Sequence, residues 1–233
     1  VDQRDLTVIY YTANTLREPL FSAAQKQLLE SIGNYPLISV SQKPLDLGRN
    51  ICVGDIGRSY INIYHQMLTG AKAAETKYVA LAEDDVLYCK EHFNTYRPKD
   101  DEFAYDMARW SIYSWVDPPI YSLKFRKSNT TLIAPRDLLI EALEERFAKY
   151  PDESKIPLSY WGEPGRYESA LGVTPRKTIE FTSTCPCVVF SHPDAIGYDI
   201  QGKTKRLGQI KAYDIPYWQD AKNFIERFYG TQN

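Results

Sequence analysis

The sequence predicts an α/β fold in a single domain, with a parallel sheet in the front half and a mixed sheet in the C-terminal half. Three observations carry this. Strand-like and helix-like segments alternate from residue 6 to residue 82. Beyond residue 100, short strand-like runs follow one another with few helices between them. No repeat, low-complexity run or linker interrupts the 233 residues, and at 43% hydrophobic they can bury one substantial core.

Residues 6–11, LTVIYY, are β-branched and aromatic, hence a strand. Residues 19–32 open on a proline and place Leu20, Ala24, Gln27, Leu28 and Ile32 at helical spacing. Residues 37–41, LISVS, form a second strand, and residues 44–58, with three glycines and a proline, read as a loop. In residues 59–74, Ile61, Tyr64, Leu68 and Ala71 recur at helical spacing, with Ser59 or Asp55 as the cap. Residues 78–82, YVALA, form the third strand. This order implies parallel strands joined by right-handed crossovers. Residues 103–108, 111–115, 120–125 and 130–134 then read as shorter strands. Residues 136–149 give the strongest helix signal, with Leu138, Leu139, Ala142, Leu143 and Phe147 on the apolar face. Strands at 177–183 and 187–190 and an amphipathic C-terminal helix complete the pattern.

A net charge of −2 weighs against a surface devoted to nucleic acid, although Lys203, Lys205, Arg206 and Lys211 form a local basic segment. Cys52, Cys89, Cys185 and Cys187 do not make a disulfide scaffold. The C-P-C at 185–187 has no second close pair, which argues against a zinc ribbon. A reducing, cytoplasmic setting is expected, with no transmembrane segment or signal peptide. His65 reads as structural and His92, after Lys90 and Glu91, as exposed.

The most informative stretch is YVALAEDDVLY, where an apolar strand runs straight into Glu83, Asp84 and Asp85. In extended backbone Glu83 and Asp85 would share a face, with Asp84 opposite. Two hard oxygen donors on one face suit Mg2+ or Mn2+, which take further ligands from water and phosphate. Parallel sheets place ligands beyond the carboxyl ends of their strands, which is where this triplet lies. The plainer alternative is a solvated strand end.

With TVIYYTAN at the first strand, GDIGRSYINIYHQMLTGAKAAETKYVALAEDD leading into the acids, Gly162-Glu163, and His192 in CVVFSH, the chain resembles the GT-A fold nucleotide-sugar glycosyltransferases of the family 2-like group. The resemblance covers about residues 6–195. It implies a Rossmann-like nucleotide-binding half at 1–88 and an acceptor half at 89–233. It implies that Tyr11, Thr12 and Asn14 contact base or ribose, and that Asp55 and Arg58 lie near the nucleotide. Glu83 and Asp84 would border the ribose or metal. Asp85, Glu83 and His192 would hold Mn2+ or Mg2+, and Glu163 or Glu168 would face the acceptor. Pro164 stands where the family carries its aspartate base, so one of those glutamates serves, or the mechanism is retaining.

The residues add further readings. Lys203, Lys205 and Arg206 suit a loop that folds over a diphosphate, or simply a solvated basic loop. Tyr160, Trp161 and Tyr167 suit sugar stacking or core packing. The expected reaction is transfer of a sugar from a nucleotide-sugar, UDP-linked, to a hydroxyl on a glycan, protein, lipid-linked sugar or modified DNA base. One alternative is a nucleotidyltransferase, against which the first loop, YYTANTLREP, lacks glycine. The other is a catalytically inactive module that binds a sugar nucleotide or a protein.

Overall fold

A computed structural model describes residues 5–114, 116–123, 125–191 and 207–228. Leu6–Thr12 (β1), Leu37–Ser41 (β2), Arg49–Cys52 (β3) and Tyr78–Glu83 (β4) run parallel, in the spatial order β4-β1-β2-β3. All seven residues of β1 are buried because both faces are covered. Leu6, Val8 and Tyr10 pack with Leu28 and Ile32 of α1 (Leu20–Ile32), while Ile9 and Tyr11 pack with Tyr64, Met67 and Ala71 of α2 (Tyr60–Ala73). Ser59 caps α2 by accepting from Asn62 N at 3.1 Å.

The loop expected at 44–58 contains a strand instead. β3 is an edge strand with no apolar alternation, so periodicity does not reveal it. It is held by its parallel ladder to β2 and by Asn50, whose amide donates to Ser39 O, Ser39 Oγ and Ser41 Oγ at 2.8–3.3 Å.

The chain reaches β2 and β3 on one side of β1 and returns through α2 to β4 on the other. The sequence of strands therefore reverses between β1 and β4, which opens a crevice at their carboxyl ends. Val86–Leu87 (β5) then starts a second sheet, and Lys90–Asn94 (α3) follows. The remaining strands are Glu102–Asp106 (β6), Arg109–Tyr113 (β7), Ile120–Leu123 (β8), Leu132–Pro135 (β9), Lys177–Phe181 (β10), Cys187–Ser191 (β11), Ile210–Ala212 (β12), Asp214–Ile215 (β13) and Gln219–Asp220 (β14). β9, β6 and β10 extend the first sheet beyond β4, and the second runs β12-β8-β7-β11-β5. The mixed character expected behind the parallel half is present: β9 is antiparallel to both β4 and β6. Arg136–Lys149 (α4) lies beside α2 on the first sheet. Glu168–Leu171 (α5) precedes β10, and Ala221–Phe228 (α6) packs on the second sheet. Among the described residues no helix is long and apolar enough to cross a membrane.

Gly70 is where α2 comes closest to β1: a Cβ there would sit 2.3 Å from Ile9 Cγ2. Gly70→Ala is therefore expected to lower the melting temperature. Overpacking costs roughly 1–3 kcal/mol, more than the ~0.5–1 kcal/mol gained in helix propensity. An unchanged or raised midpoint in a thermal melt would show that Ile9 yields.

Candidate functional site

Glu83 ends β4, and Asp84 and Asp85 form the turn that leads into β5. The triplet is thus a turn rather than extended backbone, and this corrects the alternation argument. The turn nevertheless keeps Glu83 under the charge of Asp85 and, less strongly, of Asp84. Asp84 accepts from Thr12 Oγ1, and burial, then the charge of Asp84, raises the neighbouring Tyr10 phenol. Glu83 accepts from Tyr11 Oη at 2.5 Å, and its backbone N–H donates to Tyr88 Oη at 3.0 Å. Tyr88 in turn donates to Thr130 O at 2.9 Å, and Phe190 N donates to Asp85 O at 2.8 Å. Each acid is therefore placed by a strand neighbour or by the second sheet.

Burial, then the charge of Asp85, push the Glu83 carboxyl up to about 8 against the help of the Tyr11 hydrogen bond. One protein cation that acts on Glu83 was missed by sequence reasoning. Arg109 opens β7, is 3% exposed, and is held down at about 10 by burial first and by Arg126 second. Glu83, Asp85 and Glu163 all pull it the other way, so these four groups share one neighbourhood. Among the described residues Arg109 Nε and Nη2 have no hydrogen-bond partner. A buried guanidinium with open donors is suited to an anionic ligand that the protein itself does not supply.

The structure sorts the other expected residues. Tyr11 and Thr12 are buried and spend their hydroxyls on Glu83 and Asp84, so they position the acids. Asn14, at φ 54°, uses its side-chain oxygen to accept from Gln42 N and Lys43 N, both at 2.9 Å. Asp55 and Arg58 are exposed on the loop after β3, where Asp55 accepts from Gly57 N. That loop borders a cavity of about 360 Å³ lined by Val53, Ile56, Asn62, His65, Gln66, Thr69 and Glu153. Gln66 ties the cavity to the crevice by donating to Thr12 O and Val40 O at 2.9 Å.

Glu163 reaches the neighbourhood of Arg109 and Tyr64, with its Oε2 accepting from Arg166 Nη1 at 3.0 Å. Glu168 is elsewhere engaged: 3% exposed, it pairs with the buried Arg146 at 2.7 Å and accepts from Gly165 N. Trp161 belongs to the core beside Tyr64 and Phe147, whereas Tyr160 is exposed. His65 packs on Phe147 and meets Glu153 at 2.5 Å. His192, Lys203, Lys205 and Arg206 lie outside the described residues.

No family model and no curated protein matches the chain. Several solved structures resemble it. One is a glycosyltransferase involved in glycosylation of the major capsid of PBCV-1, at 12% identity and TM-score 0.46, covering 79% of this chain and 92% of that one. Another is the mannosyltransferase PcManGT from Pyrobaculum calidifontis in complex with GDP-Man and Mn2+, at 12% and 0.46, covering 84% and 59%. A third is a nucleotidyl transferase from Methanothermobacter, at 14% and 0.44, covering 78% and 88%. The chain spans half the length of the bifunctional IspDF from Campylobacter jejuni that it also matches. These are likenesses of layout.

Proposed function

We propose that the chain is a transferase that moves a sugar from a UDP-linked donor to a hydroxyl, with the acid turn as a divalent metal site. The observation that carries this is that Glu83, at the carboxyl end of β4, Asp85 and Glu163 all act electrostatically on buried Arg109, whose Nε and Nη2 are open. The residues fit a hard cation. Glu83 and Asp85 offer carboxylate oxygens, and their repulsion is the kind that Mn2+ or Mg2+ relieves. When bound, the metal supplies charge stabilisation for a departing diphosphate. Arg109 binds the phosphate oxygens, charge against charge in a site of low exposure. Glu163, oriented by Arg166, accepts the proton of the attacking hydroxyl. The cavity between the post-β3 loop and α2 takes the base. The acceptor is a hydroxyl-bearing glycan, protein, lipid-linked sugar or modified DNA base, bound by residues after 89.

The test is donor turnover with and without Mn2+ across UDP-sugars. UDP release that needs the metal supports the reading. Pyrophosphate release from a nucleoside triphosphate would favour a nucleotidyltransferase, and metal-dependent binding without turnover would favour an inactive binding module. Arg109→Met is expected to weaken Mn2+-dependent UDP binding roughly 10–100-fold by calorimetry, the loss of a charged hydrogen-bonding partner. An unchanged dissociation constant would remove Arg109 from the diphosphate site.

A further inference from the structure

A second concentration of metal-ligating side chains lies where the chain leaves β5. Cys89, between β5 and α3, and Cys187, the first residue of β11, have no exposed surface, and Cys185 is 5% exposed. Ligand atoms of Cys89, Glu91 and Cys185 lie within 4.8 Å of one another, as do those of His92, Asp106 and Cys187. The two groups adjoin at Cys89, whose Sγ–H donates to Cys185 O at 2.8 Å and lies beside the Cys185 and Cys187 thiols.

The expectation that His92 is exposed is wrong: α3 turns it fully inward. Its Nδ1 sits 3.0 Å from Asp106 Oδ2, while Asp106 Oδ1 accepts from Ala108 N and Ser183 N at 2.9 and 3.1 Å. Both oxygens of Asp106 are thus engaged. His92 Nε2 is buried with no hydrogen-bond partner among the described residues. Buried thiols alone are ordinary small apolar core groups. An imidazole whose far nitrogen has no partner, while its near nitrogen is fixed by a carboxylate, is arranged as a metal ligand with its outer support already in place.

We propose that Cys89, His92, Cys185 and Cys187 bind a structural Zn2+. Three sulfurs and one nitrogen are a set that Zn2+ takes tetrahedrally, with Asp106 fixing the imidazole. The ligands come as C-x-x-H and C-x-C from separate segments, so this is no zinc ribbon. The ion would fasten the exit of the acid turn to β11 and to the 185–187 loop. That loop is already held by Trp218 Nε1, which donates to Pro186 O at 2.6 Å. The proposal does not depend on what the acid turn does.

The experiment is elemental analysis of untagged, natively purified chain after dialysis against EDTA, together with the absorption spectrum of the Co2+-substituted protein. About one zinc per chain is expected, with the thiolate charge-transfer and tetrahedral bands of a sulfur-rich Co2+ site. Cys187→Ser should lose that metal and Asp85→Asn should keep it. If Cys187→Ser does not fold, the Co2+ spectrum of the unmutated chain still decides. Four outcomes would overturn the site: no retained metal, Co2+ bands without thiolate character, a Cys89–Cys185 disulfide seen by mass, or metal lost only with Asp85→Asn.

Discussion

Glu83→Gln is expected to lower metal-dependent turnover by roughly 10²–10³-fold while making the metal-free protein more heat-stable at alkaline pH. Both effects have one cause. Burial and Asp85 raise the Glu83 carboxyl from its ordinary 4.5 to about 8. Between those values the folded chain holds a proton that the unfolded chain has released, so stability falls as pH rises through this window. The contribution is fully present below about 4.5 and lost above about 8. Glutamine accepts the same hydrogen bond from Tyr11 and never ionises, so its melting curve should stay flat where the unmutated one drops. The two should coincide near pH 4.5 and separate progressively toward pH 9. Manganese should close the gap by stabilising only the chain that keeps the carboxylate, because a ligand raises the midpoint in proportion to its preference for the folded state. Parallel melting profiles for the two proteins from pH 5 to 9 would show that Glu83 is already charged in the metal-free fold. The gain in stability from removing a functional charge is the usual trade at a site built for a ligand.

What the sequence showed and what it hid follow from range. β1, β2, β4 and α4 were legible because their signals are local: branched or aromatic runs, and apolar residues at helical spacing. β3 was hidden because an exposed edge strand held by Asn50 and backbone pairing has no hydrophobic pattern. Among the site residues, the acid triplet stood out as charge at the end of an apolar strand. Arg109 did not, since an arginine inside DMARW shows neither its burial nor its distant neighbours Glu83 and Glu163. Arg146 does not stand out among the polar residues of α4, yet it is fully buried, and only its partner twenty-two residues later explains why. His92 was misread by its neighbours Lys90 and Glu91, because a five-residue helix has too few turns for polarity to mark a face. The thiols converge through β-sheet pairing of β11 with β5 and β7, a relation that spacing in the chain does not encode.

Glu168→Ala is expected to cost about 3–5 kcal/mol, the penalty for stranding a buried charge, or about 6–20 °C in melting temperature for a chain of this size. Arg146 has no exposed surface, lies 5.9 Å from the rings of both Tyr64 and Trp161, and donates to Gly162 O at 2.7 Å as well as to Glu168. Glu168 also closes the loop by accepting from Gly165 N. The pair therefore holds the backbone on which Glu163 is presented, and we propose that Glu168 is a positioning residue rather than the proton acceptor. A double variant separates the two roles. Replacing Arg146 by Met and Glu168 by Leu removes both charges together, and well-packed apolar substitutes for a buried ion pair commonly restore stability. With Glu168 as a brace, the double variant regains its melting temperature and a turnover reduced only by the lost hydrogen bonds to Gly162 O and Gly165 N. With Glu168 as the base, stability returns and turnover does not, because no apolar side chain can take the acceptor's proton.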